Sequence, residues 1–297
     1  MPTERKQPPL KAVKSETRAL VPVPRPAEEP EPLPNPRLSD VDEWGRSEKF
    51  RELSRTLYEP LYRHWFRVEW EGLEKIPTDG GALLVANHAG AIPSDAPAII
   101  HGVETELGRA VYGLAEFVFR ELPLVGIAWA RSGGVTAQPD NAYRLLREQQ
   151  QLVLVFPEGT KGTSKPYNER YKLARFGRGG FVEIAMRAGV PIVPIAVVGA
   201  EESMPVIWKV PGLARAFGVP YVPITANMLL LGPLLGSIGY FPAKFKLRVL
   251  DPIHFDVPPD QVRYSRSKVM DHSELIRERI QEALYEMLRE RRSVWFG

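Results

Sequence analysis

The chain has 297 residues, of which 44% are hydrophobic, 25% are charged and none is cysteine, and its formal net charge is +3. That balance supplies a sizeable core and excludes a fully disordered or fibrous chain, while the missing thiols exclude disulfides, thiolate metal sites and a cysteine nucleophile. The charge is too small to argue for nucleic acid, although its sign suits an anionic membrane surface.

Ten of the 29 prolines fall in residues 1–36, mixed with Lys, Arg and Glu and without apolar periodicity. This stretch is expected to be a disordered, partly polyproline tail, and it holds no apolar run of the length a signal peptide needs. An amphipathic helix is expected over 37–66, with Ser39 and Asp40 offering the N-cap. Its apolar positions Phe50, Leu53, Leu57, Leu61 and Trp65 step by three and four residues along one stripe, with Arg46, Lys49, Arg51, Arg55 and Arg63 off it. Such a stripe either packs on a core or lies in a membrane interface.

From residue 67 to 297 short apolar runs alternate with helical patterns. Strands are expected at Arg67–Gly72, Ala82–Ala86, from Ala110, ending at Val135, and at Leu152–Phe156, Ile192–Val198 and Phe245–Leu250. Helices are expected at Pro97–His101, Ala142–Gln150 and Gly180–Ala188, with a charged terminal helix at His272–Arg292. The alternation predicts an α/β fold, a central mixed sheet covered by helices. The longest apolar stretch, Val219–Phe241, is interrupted by Pro220, Pro223, Gly232, Pro233, Gly236 and Gly239. A spanning helix wants about 20 apolar residues without such punctuation, so a peripheral or soluble protein is expected.

Several chemistries lack their motif. There is no G-x-S-x-G, no H-E-x-x-H, no Walker loop around Gly159–Lys165 and no dinucleotide-binding glycine pattern after the first strand, and the five histidines have no metal-ligand spacing. What remains is His88, at the carboxyl end of the apolar run Ala82–Ala86, followed through a Gly- and Pro-containing turn by Asp95. Open α/β sheets place ligands at such strand ends. A carboxylate on one ring nitrogen fixes the tautomer and leaves the other nitrogen free as a general base. Alternatively, Asp95 is only a helix cap and His88 only a loop histidine. The second candidate is Phe156-Pro157-Glu158-Gly159-Thr160-Lys161-Gly162, again directly after an apolar strand, with Lys165, Arg170, Lys172, Arg175 and Arg178 beyond it. Close backbone approach beside cations suits a phosphate or pyrophosphate, and equally a solvated turn.

An N-H-x₆-D element, FPEGTKG about 70 residues later and VPIVPIAVVG at Val190–Gly199 together resemble the phospholipid/glycerol acyltransferase superfamily over roughly residues 65–255. The likeness is closest to the branch whose first block reads NH-(S/A)-G-(G/A)-(I/L)-P-x-D, similar to monoacylglycerol and diacylglycerol acyltransferases. The resemblance implies that residues 67–297 form an acyltransferase domain. It implies His88 as the base that deprotonates the acceptor hydroxyl, Asp95 as its orienting partner, and direct attack on an acyl-CoA or acyl carrier protein thioester without an acyl-enzyme. Phe156, Pro157, Glu158, Gly159 and Lys161 would form the acceptor-binding block, with Pro194 in the last block, and no cofactor or metal is implied.

Two departures stand out. Lysophosphatidate acyltransferases commonly carry H-x₄-D, and they carry an arginine shortly after the strand of the second block, where this chain reads Gln138-Pro139-Asp140-Asn141. A neutral acylglycerol or other lipid alcohol is therefore the expected acceptor, unless Lys172, Arg175 or Arg178 supplies the missing charge. The alternatives are a conventional lysophosphatidate acyltransferase of phospholipid synthesis and a non-catalytic lipid-binding protein. The expected setting is peripheral, on the cytoplasmic face of a membrane, with Ser47–Phe66 and Met228–Phe241 as membrane or acyl-chain contacts.

Overall fold

The computed structural model describes residues 40–115, 125–210, 222–261 and 264–297; the proline-rich tail expected over 1–36 lies outside them. The first helix, α1 (Glu48–Pro60), continues into a wider turn over Leu61–Trp65. It is capped by Ser47, whose Oγ accepts the Phe50 N–H at 3.1 Å, rather than by Ser39 or Asp40. Asp40 instead accepts the Ser47 hydroxyl and the Lys49 N–H, anchoring the cap from outside the helix. A serine N-cap satisfies a donor that the helix leaves unpaired.

The apolar stripe of α1 is not its buried face. Leu53, Leu57 and Trp65 are 56%, 71% and 43% exposed, whereas Arg51, Tyr62 and Phe66 are buried. Arg51 turns inward because buried Glu104 faces it, with Nε 3.0 Å and Nη2 2.5 Å from the same carboxylate oxygen. A buried charge is tolerated when so paired, and hydrophobic periodicity does not register it.

The remaining elements, in chain order, are β1 (Glu69–Glu71), β2 (Ala82–Ala86), α2 (Asp95–Leu107), β3 (Val111–Ala115), α3 (Val125–Arg131), β4 (Gly134–Thr136), α4 (Pro139–Tyr143), β5 (Leu152–Val155), α5 (Thr160–Thr163), α6 (Gly180–Ala188), β6 (Ile192–Val198), α7 (Ala200–Ser203), β7 (Val206–Lys209), β8 (Pro223–Thr225), α8 (Ala226–Gly236), β9 (Lys246–Val249) and α9 (Arg266–Glu290). Helix α2 starts at Asp95 rather than Pro97. Helix α9 starts at Arg266 rather than His272, because Val269, within an otherwise polar turn, is buried against Gly179.

Seven strands form the sheet in the order β1-β9-β6-β2-β5-β3-β4. Every neighbouring pair is parallel except β6 with β9, so the sheet is mixed, as the alternation predicts. The central strands β2 and β6 are buried along their whole length, as near-continuous apolar runs in parallel sheets are. One face carries Leu83, Val85 and Val153 against Phe181, Val182, Ile276, Ile280 and Leu284 of α6 and α9. The other carries Leu84, Leu154, Val193 and Ile195 against Phe66, Ile99, Val103 and Phe245. Burying each such side chain contributes about 1.5–3 kcal/mol, which makes this double-faced sheet a rigid base for the loops at its carboxyl edge.

Candidate active site

Parallel register builds the site. Val85 of β2 lies opposite Val155 of β5, and His88 and Glu158 come after these two residues at the same offset, so they emerge side by side. Asn87 fixes the exit of β2, since its side chain accepts the Val197 N–H at 2.8 Å and donates to the Val197 carbonyl at 3.0 Å on β6. The chain then turns through Gly90, at φ +82°, a conformation that L side chains rarely adopt, and returns at Asp95.

The turn brings the fully buried Asp95 carboxylate back onto the imidazole: Oδ2 is 3.0 Å from His88 Nδ1 and also accepts the Ala89 N–H at 2.8 Å. Oδ1 accepts the Ala96 N–H at 2.7 Å. Asp95 therefore begins α2 and holds His88 at once. A carboxylate on Nδ1 fixes the neutral ring as the Nδ1–H tautomer and leaves Nε2 free to accept a proton. The imidazole stacks on the Phe156 ring at 4.1 Å between centroids and 19° between planes, and its side chain is 14% exposed.

Glu158 faces inward. Its Oε1 accepts the His88 N–H at 3.0 Å, Oε2 accepts the Ala174 N–H at 2.7 Å, and Lys165 Nζ stands 3.5 Å from Oε2. Lys165 also bonds Glu201 at 3.2 Å, and this lysine is nearly buried. Burial pushes the Glu201 carboxyl up to about 7, against the pull of Lys165. Gly159 takes φ +56° and ψ −144°, a glycine-only conformation that reverses the chain into α5. Gly162 passes so close that a Cβ there would stand 2.7 Å from the His88 carbonyl and 2.8 Å from the His88 Cβ. Pro157 is half-buried beside Glu158, and Pro194 is buried within β6, opposite Val85.

The basic run after FPEGTKG does not form one patch. Lys165 is drawn into the interior, and Arg170 stacks over Tyr167. Lys161, Lys172, Arg175 and Arg178 are exposed, with Arg175 near Glu274.

A cavity of about 700 Å³ opens beside the His88 and Phe156 rings, lined mainly by apolar groups that include Leu57, Pro97, Ile100, Leu114 and Trp129. Trp129 lies across Gly134, where a Cβ would stand 2.2 Å from the indole. Two buried polar atoms without a hydrogen-bond partner among the described residues belong to lining side chains, the Tyr58 hydroxyl and His101 Nδ1. Burial holds the Tyr58 phenol far above its ordinary value and lowers His101, whose Nε2 lies 2.6 Å from Glu59. Periodicity gives no signal for Tyr58, His101 or Trp129, which meet only through the packing of α1, α2 and α3 around the sheet edge, nor for the pairing of Lys165 with Glu158 and Glu201, which follow other strands.

The family model described as Acyltransferase matches residues 67–198, a span that contains His88, Asp95, the FPEGTKG turn and β6. An uncharacterized protein of Mycobacterium tuberculosis is 40% identical over 266 residues, which covers 86% of this chain and 72% of that one. This chain belongs to the acyltransferase family. The human DGAT1/2-independent enzyme synthesizing storage lipids is 26% identical over 206 residues, 69% of this chain and 60% of that one. Among solved structures, the crystal structure of the 1-acyl-sn-glycerophosphate acyltransferase PlsC from Thermotoga maritima superposes with a TM-score of 0.52 at 22% identity, covering 83% of this chain and 84% of that one. The acyltransferase fold thus carries the His88–Asp95 pair at the carboxyl edge of its central strands.

Proposed function

We propose that this acyltransferase moves a fatty acyl group from an acyl thioester, carried by CoA or acyl carrier protein, onto the hydroxyl of a lipid alcohol. The observation that carries the reading is the His88–Asp95 pair standing at the wall of an apolar cavity large enough for an acyl chain. His88 Nε2 takes the proton of the acceptor hydroxyl as its oxygen attacks the thioester carbon. Asp95 holds the ring and stabilises the imidazolium that forms. The C–S bond then breaks and the imidazolium returns the proton to the departing thiolate, leaving an ester and a free thiol. The acyl chain lies in the cavity, and ring stacking by Phe156 keeps the imidazole facing it.

The inward turn of Glu158 makes it a positioning residue, which holds the His88 backbone rather than the acceptor. A neutral acceptor is supported by Gln138-Pro139-Asp140-Asn141 standing where an arginine would be expected, and by the storage-lipid relative. The test incubates purified protein and His88→Ala with acyl-CoA or acyl carrier protein donors and a panel of glycerol 3-phosphate, lysophosphatidate, monoacylglycerol and diacylglycerol, and reads products by mass spectrometry. A His88-dependent ester on a neutral acceptor supports the reading. Esterification of lysophosphatidate alone identifies the phospholipid-synthesis enzyme instead, and no ester with any donor leaves a lipid-binding protein.

A further inference from the structure

Among the described residues, helix α8 and its flanks carry a cluster of exposed large apolar side chains. From Val222 to Ala243 the chain has no charged residue. Within it Leu229, Leu230, Leu231, Leu234, Leu235 and Ile238 are between 48% and 80% exposed. Three consecutive leucines point in different directions around a helix, so this is not a stripe waiting for one groove. The segment is held as a hairpin by the break at Gly232, at φ +81°, before Pro233, and by Gly236 folding back against the Asn227 carbonyl. No helix of the described residues is long and apolar enough to cross a membrane.

The rim has a different character. Trp65 donates its indole N–H to the Tyr240 carbonyl at 3.0 Å, Trp295 meets Phe241 edge to face, and exposed Trp208 stands on the β7–β8 ribbon that leads into α8. Two cations at this rim have no carboxylate partner among the described residues. Arg67 donates to the Pro242 and Trp295 carbonyls, and exposed Lys209 reaches only the Ser164 hydroxyl. A charge-free apolar tip, tryptophans around it and unneutralised cations behind it match the layers of a bilayer with anionic headgroups.

We propose that α8 is a membrane-docking element that inserts its leucines into the surface of an anionic lipid bilayer and hands lipid acceptor to the His88 loop. The connection is short. Asn227 bonds the Ser203 and Gly239 carbonyls, Ser203 bonds Ser94 beside Asp95, and the Met204 carbonyl accepts the Ala91 N–H. The bilayer contact stands on this surface alone; only the delivery of acceptor rests on the proposed acyl transfer.

The test measures flotation of the full chain with phosphatidylcholine vesicles and with phosphatidylcholine–phosphatidylglycerol vesicles, together with quenching of tryptophan emission by brominated lipid. The expected result is binding that is stronger to the anionic vesicles, with quenching, and a loss of more than tenfold for L230E/L234E at an unchanged unfolding midpoint. The quenching needs no variant, so it decides the matter even if the double variant folds poorly. Equal binding by variant and parent overturns the proposal, as does no binding or quenching of the parent chain. So does light scattering that shows a dimer broken by L230E/L234E, since a second copy then covers the leucines. His88→Ala should bind vesicles normally, so a failure of the acyl-transfer reading and a failure of this one give different results.

Discussion

Glu158 Oε1 accepts the amide N–H of His88 at 3.0 Å across 70 residues of sequence, while its other oxygen holds Ala174 and faces Lys165. One buried carboxylate thus ties the loop that carries His88 to the turn after β5 and to the segment that leads into α6. Removing it leaves the His88 and Ala174 N–H groups without their acceptor, at a cost of about 1–3 kcal/mol, while Lys165 keeps Glu201. Glu158→Ala should lower the urea midpoint by a corresponding amount. Glu158→Gln, which keeps an acceptor for His88, should recover part of that loss; urea melts of both variants check this.

His88→Ala should lower kcat by about 10²–10⁴-fold, the range that a positioned general base contributes. The loss of the Phe156 stacking should lower the unfolding midpoint only modestly, because the buried Asp95 carboxylate keeps the Ala89 and Ala96 N–H bonds. Asp95→Asn should fall in the same direction while retaining the Ala89 N–H bond. Steady-state rates beside thermal melts separate chemistry from folding, and an active His88→Ala enzyme would remove the imidazole from the reaction.

Gly162→Ala places a methyl group 2.8 Å from the His88 Cβ and 2.7 Å from its carbonyl. Forcing extra volume into a close contact costs about 1–3 kcal/mol, and here the displaced residue is the proposed base. The expected outcome is a fall in kcat larger than the fall in stability explains, measured as kcat at a temperature where the variant is fully folded.

Filling the cavity should change which donors are used. Ile100→Trp adds an indole to the wall, and kcat/KM should fall steeply for long acyl chains and much less for short ones. Each methylene that no longer finds apolar contact costs about 0.8 kcal/mol, so the ratio between donors should shift with every added pair of carbons. A chain-length series of acyl thioesters reads the effect.

Glu201 gives stability a pH dependence. Unfolded, its carboxyl releases a proton near its ordinary value of 4.5; folded, burial holds the proton up to about 7. Between those values the folded state binds more protons than the unfolded state, so this residue makes stability fall as pH rises, and its contribution is level above about 7. Glu201→Gln should flatten that part of the profile, as unfolding midpoints taken across it will show.

Sequence alone located the candidate site. The apolar runs Ala82–Ala86, Leu152–Val155 and Ile192–Val198 are strands because buried parallel strands are continuous in hydrophobicity, and the residues just after each run stand at the sheet's carboxyl edge. The pairing of His88 with Asp95 was legible as well, since a single Gly- and Pro-containing turn connects them. Tertiary structure decided the rest. Arg51 is buried and Leu57 exposed because Glu104 stands on a helix 53 residues away. Lys165 leaves the basic run because Glu158 and Glu201 meet it from two other segments. Periodicity records the average surroundings of a face, whereas a buried charge is set by one partner at long range. The acyl-sized cavity has the same origin, for its walls come from α1, α2, β3 and α3, and only packing brings them together.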